Sequence, residues 1–214
     1  MNELSREFWL QSVDRLAAAF QEAEIRLCGY DGAIGDGDHG TSMCGGFLEA
    51  QRNLTGAPAA DCGEVLRSIG RSFLDTVGGV TGVVFGSLFD AAGERSAGLQ
   101  GLDAAAVHRA FAAGLVAARQ RGRASEGDKT MIDALAPAVE ALRAAAETGE
   151  PAGAALARAA AAAEAWMEST VRMEGKVGRA RYQRGKGAGH VDAGAASVFL
   201  IFQTLAGAAA EAVP

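Results

Sequence analysis

Positive charge, cysteine pairing signals and strand-forming runs are all scarce in this chain, and each scarcity removes a class of function. Twenty Lys and Arg stand against 26 Asp and Glu, giving a formal charge of −6 and a pI near 5.1. That balance argues against a nucleic-acid partner or an anionic membrane surface, since both require a net positive face. An anionic ligand would need local help from metal ions or backbone N–H groups. Cys28, Cys44 and Cys62 are odd in number and fit neither CxxC nor zinc-type spacing. A disulfide framework is therefore excluded, and buried free thiols are expected. Aromatic residues make up only 6% of the chain, and no convincing run alternates polar with apolar residues, so strands are not expected. The N-terminal "MNELSREFWLQSVDRL" carries charges throughout its apolar residues, which suits neither a signal peptide nor a membrane span. A cytoplasmic location is the expectation.

What the chain does contain is helix periodicity. Its 214 residues, 49% of them hydrophobic, can bury a substantial core, and one domain spanning 1–214 is expected. Phe8, Trp9, Val13, Leu16, Ala17 and Phe20 repeat at the three-to-four spacing of an amphipathic helix, with Ser5 as its N-cap. Continued along the chain, the same reading gives eight helices, at 5–27, 40–54, 61–76, 81–97, 103–121, 130–147, 152–170 and 192–210. The predicted fold class is all-α. The alanine-rich stretch 152–163 reads as a helix packed closely on its neighbours or as a weakly specified surface helix, without chemistry of its own. Trp166, near the end of the seventh helix, is expected in the core.

Glycine and polar residues collect in four joints: "GYDGAIGDGDHG", "VGGVTG", "SEGDKT" and "GKVGRARYQRGKGAGHVDAG". These carry more Asp, Thr, Lys, Arg and His than turning a chain requires. In the first, Asp36 and Asp38 are two residues apart among glycines, and Asp31 can fold back from the end of helix one to complete a triangle. Three carboxylates so close repel one another, and a divalent cation is the usual remedy. Oxygen ligands without Cys point to Mg²⁺, Mn²⁺ or Ca²⁺. The EF-hand pattern is absent, and Mg²⁺ commonly shares its coordination with substrate phosphates, so a nucleotide is the natural ligand. The bland alternative is a solvated Asp/Gly turn with local Asx bonding.

His39 reads as a hydrogen-bonding group at a helix start, or as support for metal ligands or phosphate. The helix opening at "GTSM" and the "GGVTG" joint with Thr81 both offer N–H groups to an anion. No GxxxxGK[ST] loop is present, and "RGKGAG" near Lys186 does not supply one. In "GDKTM", Asp128 or Thr130 can cap a helix, and Met131 can lie against a base or sugar. The fourth joint is either a solvated loop or one that closes over an anionic ligand.

In this order and at these separations, "DGAIGDGDHGTSM" at 31–43, "GGVTGVVFG" at 78–86, "GDKTMIDALAPA" at 127–138 and "GRARYQRGKGAGHVDAGAAS" at 178–197 resemble the nucleotide-binding L subunit of dihydroxyacetone kinases, the DhaL or DAK2 domain family. The resemblance covers nearly the whole chain. It implies an eight-helix antiparallel up-and-down barrel with a nucleotide, ATP or ADP, across one rim. By the same likeness Asp31, Asp36 and Asp38 are the catalytic and metal residues, holding two Mg²⁺ ions that bridge the phosphates. His39, Thr41, Ser42, Gly79 and Thr81 would line the phosphates and Met131 the adenine. Arg179 would reach the phosphates, and Asp192 to Gly194 would border the base. The family's usual "DPG" reads "DAG" here, with Ala193, and its common "GRASY" reads "GRARY", with Arg181 where serine is usual.

The resemblance also implies that the ketose is held by a separate K subunit, and that a phosphocarrier (M-type) subunit recharges a tightly held ADP where ATP is not exchanged. Two other roles compete: a non-catalytic regulatory module of the same family, and a lipid carrier using the apolar interior expected of the barrel.

Overall fold

A computed structural model describes residues 1–56, 59–178, 181 and 184–212. Ser5 starts the first helix as predicted: its Oγ accepts the Phe8 N–H at 3.2 Å, and α1 (Arg6–Gly32) follows. Then come α2 (His39–Gly56), α3 (Cys62–Thr76), α4 (Gly79–Arg95), α5 (Ala104–Gly122), α6 (Ile132–Glu147), α7 (Ala152–Ser169) and α8 (Ala193–Glu211). These are the eight long helices of the described residues, most of them starting and ending within two residues of the expected positions. Helix α1 differs most: it continues to Gly32, so Asp31 sits on its last turn.

Each helix packs on the one before it, and α8 closes the ring against α1. The result is the expected all-α, up-and-down antiparallel barrel. One feature departs from the strand-free expectation: β1 (Glu3–Ser5) pairs antiparallel with β2 (Gly101–Asp103), Leu4 opposite Leu102. Three-residue strands carry too little pattern to be read as such.

The interior is filled by phenylalanine. Phe20 stacks on Phe47 at 4.7 Å between centroids, Phe47 meets Phe73 edge-on at 5.1 Å, and Phe111 lies 4.9 Å from Phe202. Helix α8 is apolar and long enough to cross a membrane by composition, yet Val198, Ile201, Phe202 and Leu205 are buried in this core. Ala155, Leu156, Ala159 and Ala163 of α7 are likewise buried, which selects the closely packed reading of the alanine-rich stretch. Trp166 corrects the expectation of a core residue. It is 45% exposed and edges a surface cleft of about 700 Å³ between α5, α6 and α7, because it projects from α7 beyond the alanine stripe that seals the barrel. Cys44 and Cys62 are buried and Cys28 is half-buried; all three are free thiols.

Alternation of helix direction has one consequence that positions the site. The joints α1–α2, α3–α4, α5–α6 and α7–α8 must share one rim, and the other three joints share the opposite rim with both chain ends. The four polar joints of the sequence are those of the first rim.

Candidate active site

The last turn of α1 and the turn after it build the centre of this rim. Gly37 takes φ of +80°, a left-handed conformation that favours glycine, and lets the chain fold back on α1. Asp31 Oδ2 then accepts the N–H groups of Gly37 (2.8 Å) and Asp38 (3.1 Å), which fixes its carboxylate. One carboxylate oxygen from each of Asp31, Asp36 and Asp38 lies within 4.8 Å of the others. Asp31 is half-buried, and Asp36 and Asp38 are exposed. The triangle read from the sequence is therefore formed. An all-oxygen set of this size fits a hard divalent cation. Gly35 leaves the space that such a group requires: a Cβ there would lie 2.4 Å from Asp31 Oδ1.

Helix α2 begins next to the cluster. Its first i−4 bond, Ser42 N to Asp38 O at 2.9 Å, leaves the N–H groups of Gly40 and Thr41 in the unbonded first turn. The Thr41 hydroxyl donates to Glu24 Oε1 at 2.8 Å, on the seam with α1, and Ser42 is half-buried beside it. Gly40 is tightly enclosed, its notional Cβ 2.1 Å from Glu24 O, so α2 presses backbone to backbone on α1. His39 is buried; its Nε2 lies 2.8 Å from Ser197 Oγ and its Nδ1 3.5 Å from Thr81 Oγ1. Burial lowers its pKa to about 4 against the opposing pull of Asp31, so the ring is neutral at pH 7.

Helix α4 starts at Gly79 with no side-chain cap from Gly78, and a Cβ at either glycine would meet nothing within 4 Å. The first turn of α4 thus borders open space at these glycines, where the dipole favours an anion, with half-buried Thr81 beside them. Helix α6 also lacks a side-chain cap. The joint before it is held instead by Asp133, a fully buried carboxylate that accepts Gly127 N (2.5 Å) and Thr130 N (2.7 Å). The expected capping by Asp128 and Thr130 is only part of the arrangement. Asp128 accepts Ser125 N at 2.8 Å and Thr130 Oγ1 accepts Ile132 N at 3.2 Å.

Met131 is buried and meets the start of α8: a Cβ on Gly194 would lie 3.1 Å from both Met131 Cβ and Asp192 Oδ2. Asp192 caps α8 by accepting Ala195 N at 2.8 Å. Burial pushes its pKa up to about 7; that cap and Lys129 act against the rise, while Asp133 and Asp31 add to it. Ala193, in the place of the family's proline, is the buried first residue of α8. Arg179 lies outside the described residues, and Arg181 is exposed.

Three residues that the sequence reading passed over help to hold the rim together. Lys129 is buried at φ +60°, its Nζ donating to the carbonyls of Thr170 and His190, each at 2.5 Å, which ties the third joint to the fourth. Burial lowers its pKa, against Asp192 and Asp133. Asp133 and Ser197 are the others. The available signal was a polar residue in an otherwise apolar helical stretch, "MIDALA" and "GAASVFL".

A family model described as the DAK2 domain matches residues 33–207. The chain is 36% identical over 208 residues to the ADP-binding subunit DhaL of the PEP-dependent dihydroxyacetone kinase of Escherichia coli, covering 97% of this chain and 99% of that subunit. It is 33% identical to the D-erythrulose kinase of Mycolicibacterium smegmatis over 92% of this chain, but spans only 34% of that enzyme. The crystal structure of the dihydroxyacetone kinase from C. freundii in complex with AMP-PNP and Mg²⁺ superposes with a TM-score of 0.72 at 28% identity, over 92% of this chain and 33% of that one. The chain thus matches the bacterial subunit end to end and about a third of each larger kinase. With the acidic triangle, the open helix starts and the eight-helix ring in one molecule, it belongs to the DAK2 domain family, whose relatives named here are phosphotransferases.

Proposed function

We propose that this protein, as one domain over residues 1–214, is the nucleotide-binding subunit of a dihydroxyacetone-type kinase, transferring a phosphoryl group to a short ketose held by a separate K subunit. The observation that carries this reading is the acidic triangle of Asp31, Asp36 and Asp38 set on the same rim as the uncapped start of α4. In this reading the three carboxylates hold two Mg²⁺ ions, which would supply charge neutralisation to the phosphates and to the transferring group. Backbone N–H groups at the starts of α2 and α4, with His39, Thr41, Ser42, Gly79 and Thr81, bind phosphate oxygens. Met131, Asp192 and Gly194 border the base, and Arg179 reaches the phosphates.

The names of the relatives support nucleotide and metal: one is an ADP-binding subunit, and the solved kinase holds AMP-PNP and Mg²⁺. Coverage of 99% of the E. coli protein, itself named as one subunit of its kinase, supports the two-component reading. A cytoplasmic location accompanies that reading.

The test mixes purified chain, Mg-ATP and dihydroxyacetone. No turnover is expected until a ketose-binding K subunit is added, and rapid turnover without one would contradict the assignment. A parallel assay with phosphoenolpyruvate and an M-type phosphocarrier, on protein checked for ADP that survives gel filtration, distinguishes a permanently held cofactor from exchanging ATP. Nucleotide binding without transfer under either condition would favour the regulatory module.

A further inference from the structure

Ser197 lies about one turn into α8, fully buried, and the chemistry above gives it no task. Its hydroxyl is oriented unlike others inside helices. Ser12, Ser72, Ser96 and Thr204 each donate to the carbonyl four residues back, at 2.7, 2.8, 2.9 and 2.8 Å. Ser197 instead meets His39 Nε2 at 2.8 Å, across from α8 to α2.

The direction of this bond follows from satisfaction of the buried donor. An O–H left without an acceptor in the core is costly, and Nε2 is the acceptor within reach of Ser197 among the described residues. A neutral imidazole that accepts at Nε2 carries its hydrogen on Nδ1. Nδ1 is 3.5 Å from Thr81 Oγ1, so the ring N–H points at the threonine oxygen. The Thr81 hydrogen is then left for another acceptor, in the first turn of α4 beside the open Gly78 and Gly79. With the opposite polarity, Thr81 would give its hydrogen to Nδ1 and turn only lone pairs toward an anion.

We propose that Ser197 is a positioning residue that fixes His39 in its Nδ1–H tautomer and so makes the Thr81 hydroxyl a donor to a phosphate oxygen at this rim. The proposal rests on the nucleotide reading for its final link, while the Ser197–His39 link stands on geometry alone. The effect passes from α8 through α2 to α4, by the Ser197–His39 and His39–Thr81 contacts.

The experiment uses ¹⁵N-resolved NMR of the imidazole rings in nucleotide-free protein, with the His39 signals assigned by their loss in His39→Gln and separated from those of His108 and His190. Wild type should show the Nδ1–H pattern. Ser197→Ala should move His39 to the Nε2–H form or a mixture of both, and weaken ADP binding in the presence of Mg²⁺ by about five-fold, the value of one hydrogen bond. Ser197→Thr, which keeps the hydroxyl, should restore both readings. Thr81→Val should weaken ADP equally while leaving the tautomer alone, and should add nothing to Ser197→Ala. It also tests the final link if Ser197→Ala fails to fold.

An Nε2–H tautomer in wild type would overturn the proposal. So would Ser197→Ala with unchanged tautomer, or changed tautomer with unchanged ADP affinity. A wild-type protein with the Nδ1–H ring that binds no nucleotide would contradict the proposed function and leave the Ser197–His39 link standing.

Discussion

Two aspartates begin helices on opposite rims of the barrel with nearly the same local geometry. Asp61 accepts Glu64 N at 2.8 Å at the start of α3, and Asp192 accepts Ala195 N at 2.8 Å at the start of α8. Their acidities diverge. For Asp61, partial burial works to raise the pKa, but the N–H groups of Glu64, Gly98 and Gly63 and the Arg67 charge outweigh it and leave the carboxyl below its usual range. Asp192 is pushed up to about 7 by burial, reinforced by Asp133 and Asp31.

The difference extends to the rims as wholes. On the rim of Asp61, side chains cap α1, α3 and α5, Gly98 N donates to Asp61 at 2.7 Å, and α7, without a side-chain cap, gives its first N–H groups to the carbonyls of Asn2 (3.3 Å) and Met1 (3.2 Å). On the rim of Asp192, α4 starts without a side-chain cap beside glycines that border open space, while three carboxylates gather at Asp31. One end of the barrel satisfies its own polar groups. The other offers both signs of unmet charge, carboxylates for a cation and helix starts for an anion, which is the demand that a metal–nucleotide complex meets.

The sharpest way to break the comparison is to crowd each rim in turn. Gly40→Ala would place a Cβ 2.1 Å from Glu24 O, forcing α2 away from α1 beneath the acidic triangle. A loss of about 3 kcal/mol in stability is expected, with ADP affinity falling as well. Gly63→Ala, its Cβ 2.6 Å from Gly93 O on the opposite rim, should cost stability to a similar order and leave ADP affinity unchanged. Denaturant unfolding alongside nucleotide titration separates the two; equal effects on binding would remove the functional distinction between the rims.

A smaller effect is expected from the cap itself. Asp61→Ala removes acceptors for Glu64 N and Gly98 N and should lower stability by about 2 kcal/mol, again without change in ADP affinity.

How far these rims could be read from sequence depended on range. The helices were legible because apolar spacing repeats over many turns, and alternation of direction then gathers the polar joints at one end. The acidic triangle was legible because it is local, with Asp36 and Asp38 two residues apart and Asp31 five before. Lys129, which reaches Thr170 and His190, and Ser197, which reaches His39 across 158 positions, depend on contacts that no local pattern encodes. Trp166 failed for a related reason: hydrophobicity favours burial, but which face of α7 meets the barrel is decided by the alanine stripe beside it.

The smallest effect is one of pH. Asp192 has its folded pKa raised to about 7, so the folded state holds a proton that the unfolded chain gives up near pH 4. Its stabilising contribution is complete below about pH 4, declines as pH rises toward 7, and is level above. Asp192→Asn keeps a capping oxygen but cannot ionise. The melting temperature of the variant minus that of wild type should therefore rise between pH 4 and 7 and then stay constant. A difference flat across that window would mean the rim does not burden this carboxylate.

The most direct test of the central claim is calorimetric titration of nucleotide-free protein with ADP, with and without Mg²⁺, in wild type, Asp36→Asn and Asp61→Asn. Wild type and Asp61→Asn should bind ADP only when Mg²⁺ is present. Asp36→Asn should lose more than about a hundred-fold in affinity, since even outer partners of metal ligands are worth ten- to a hundred-fold, while melting no lower than wild type. Binding that ignores Mg²⁺, or that survives Asp36→Asn intact, would contradict the account.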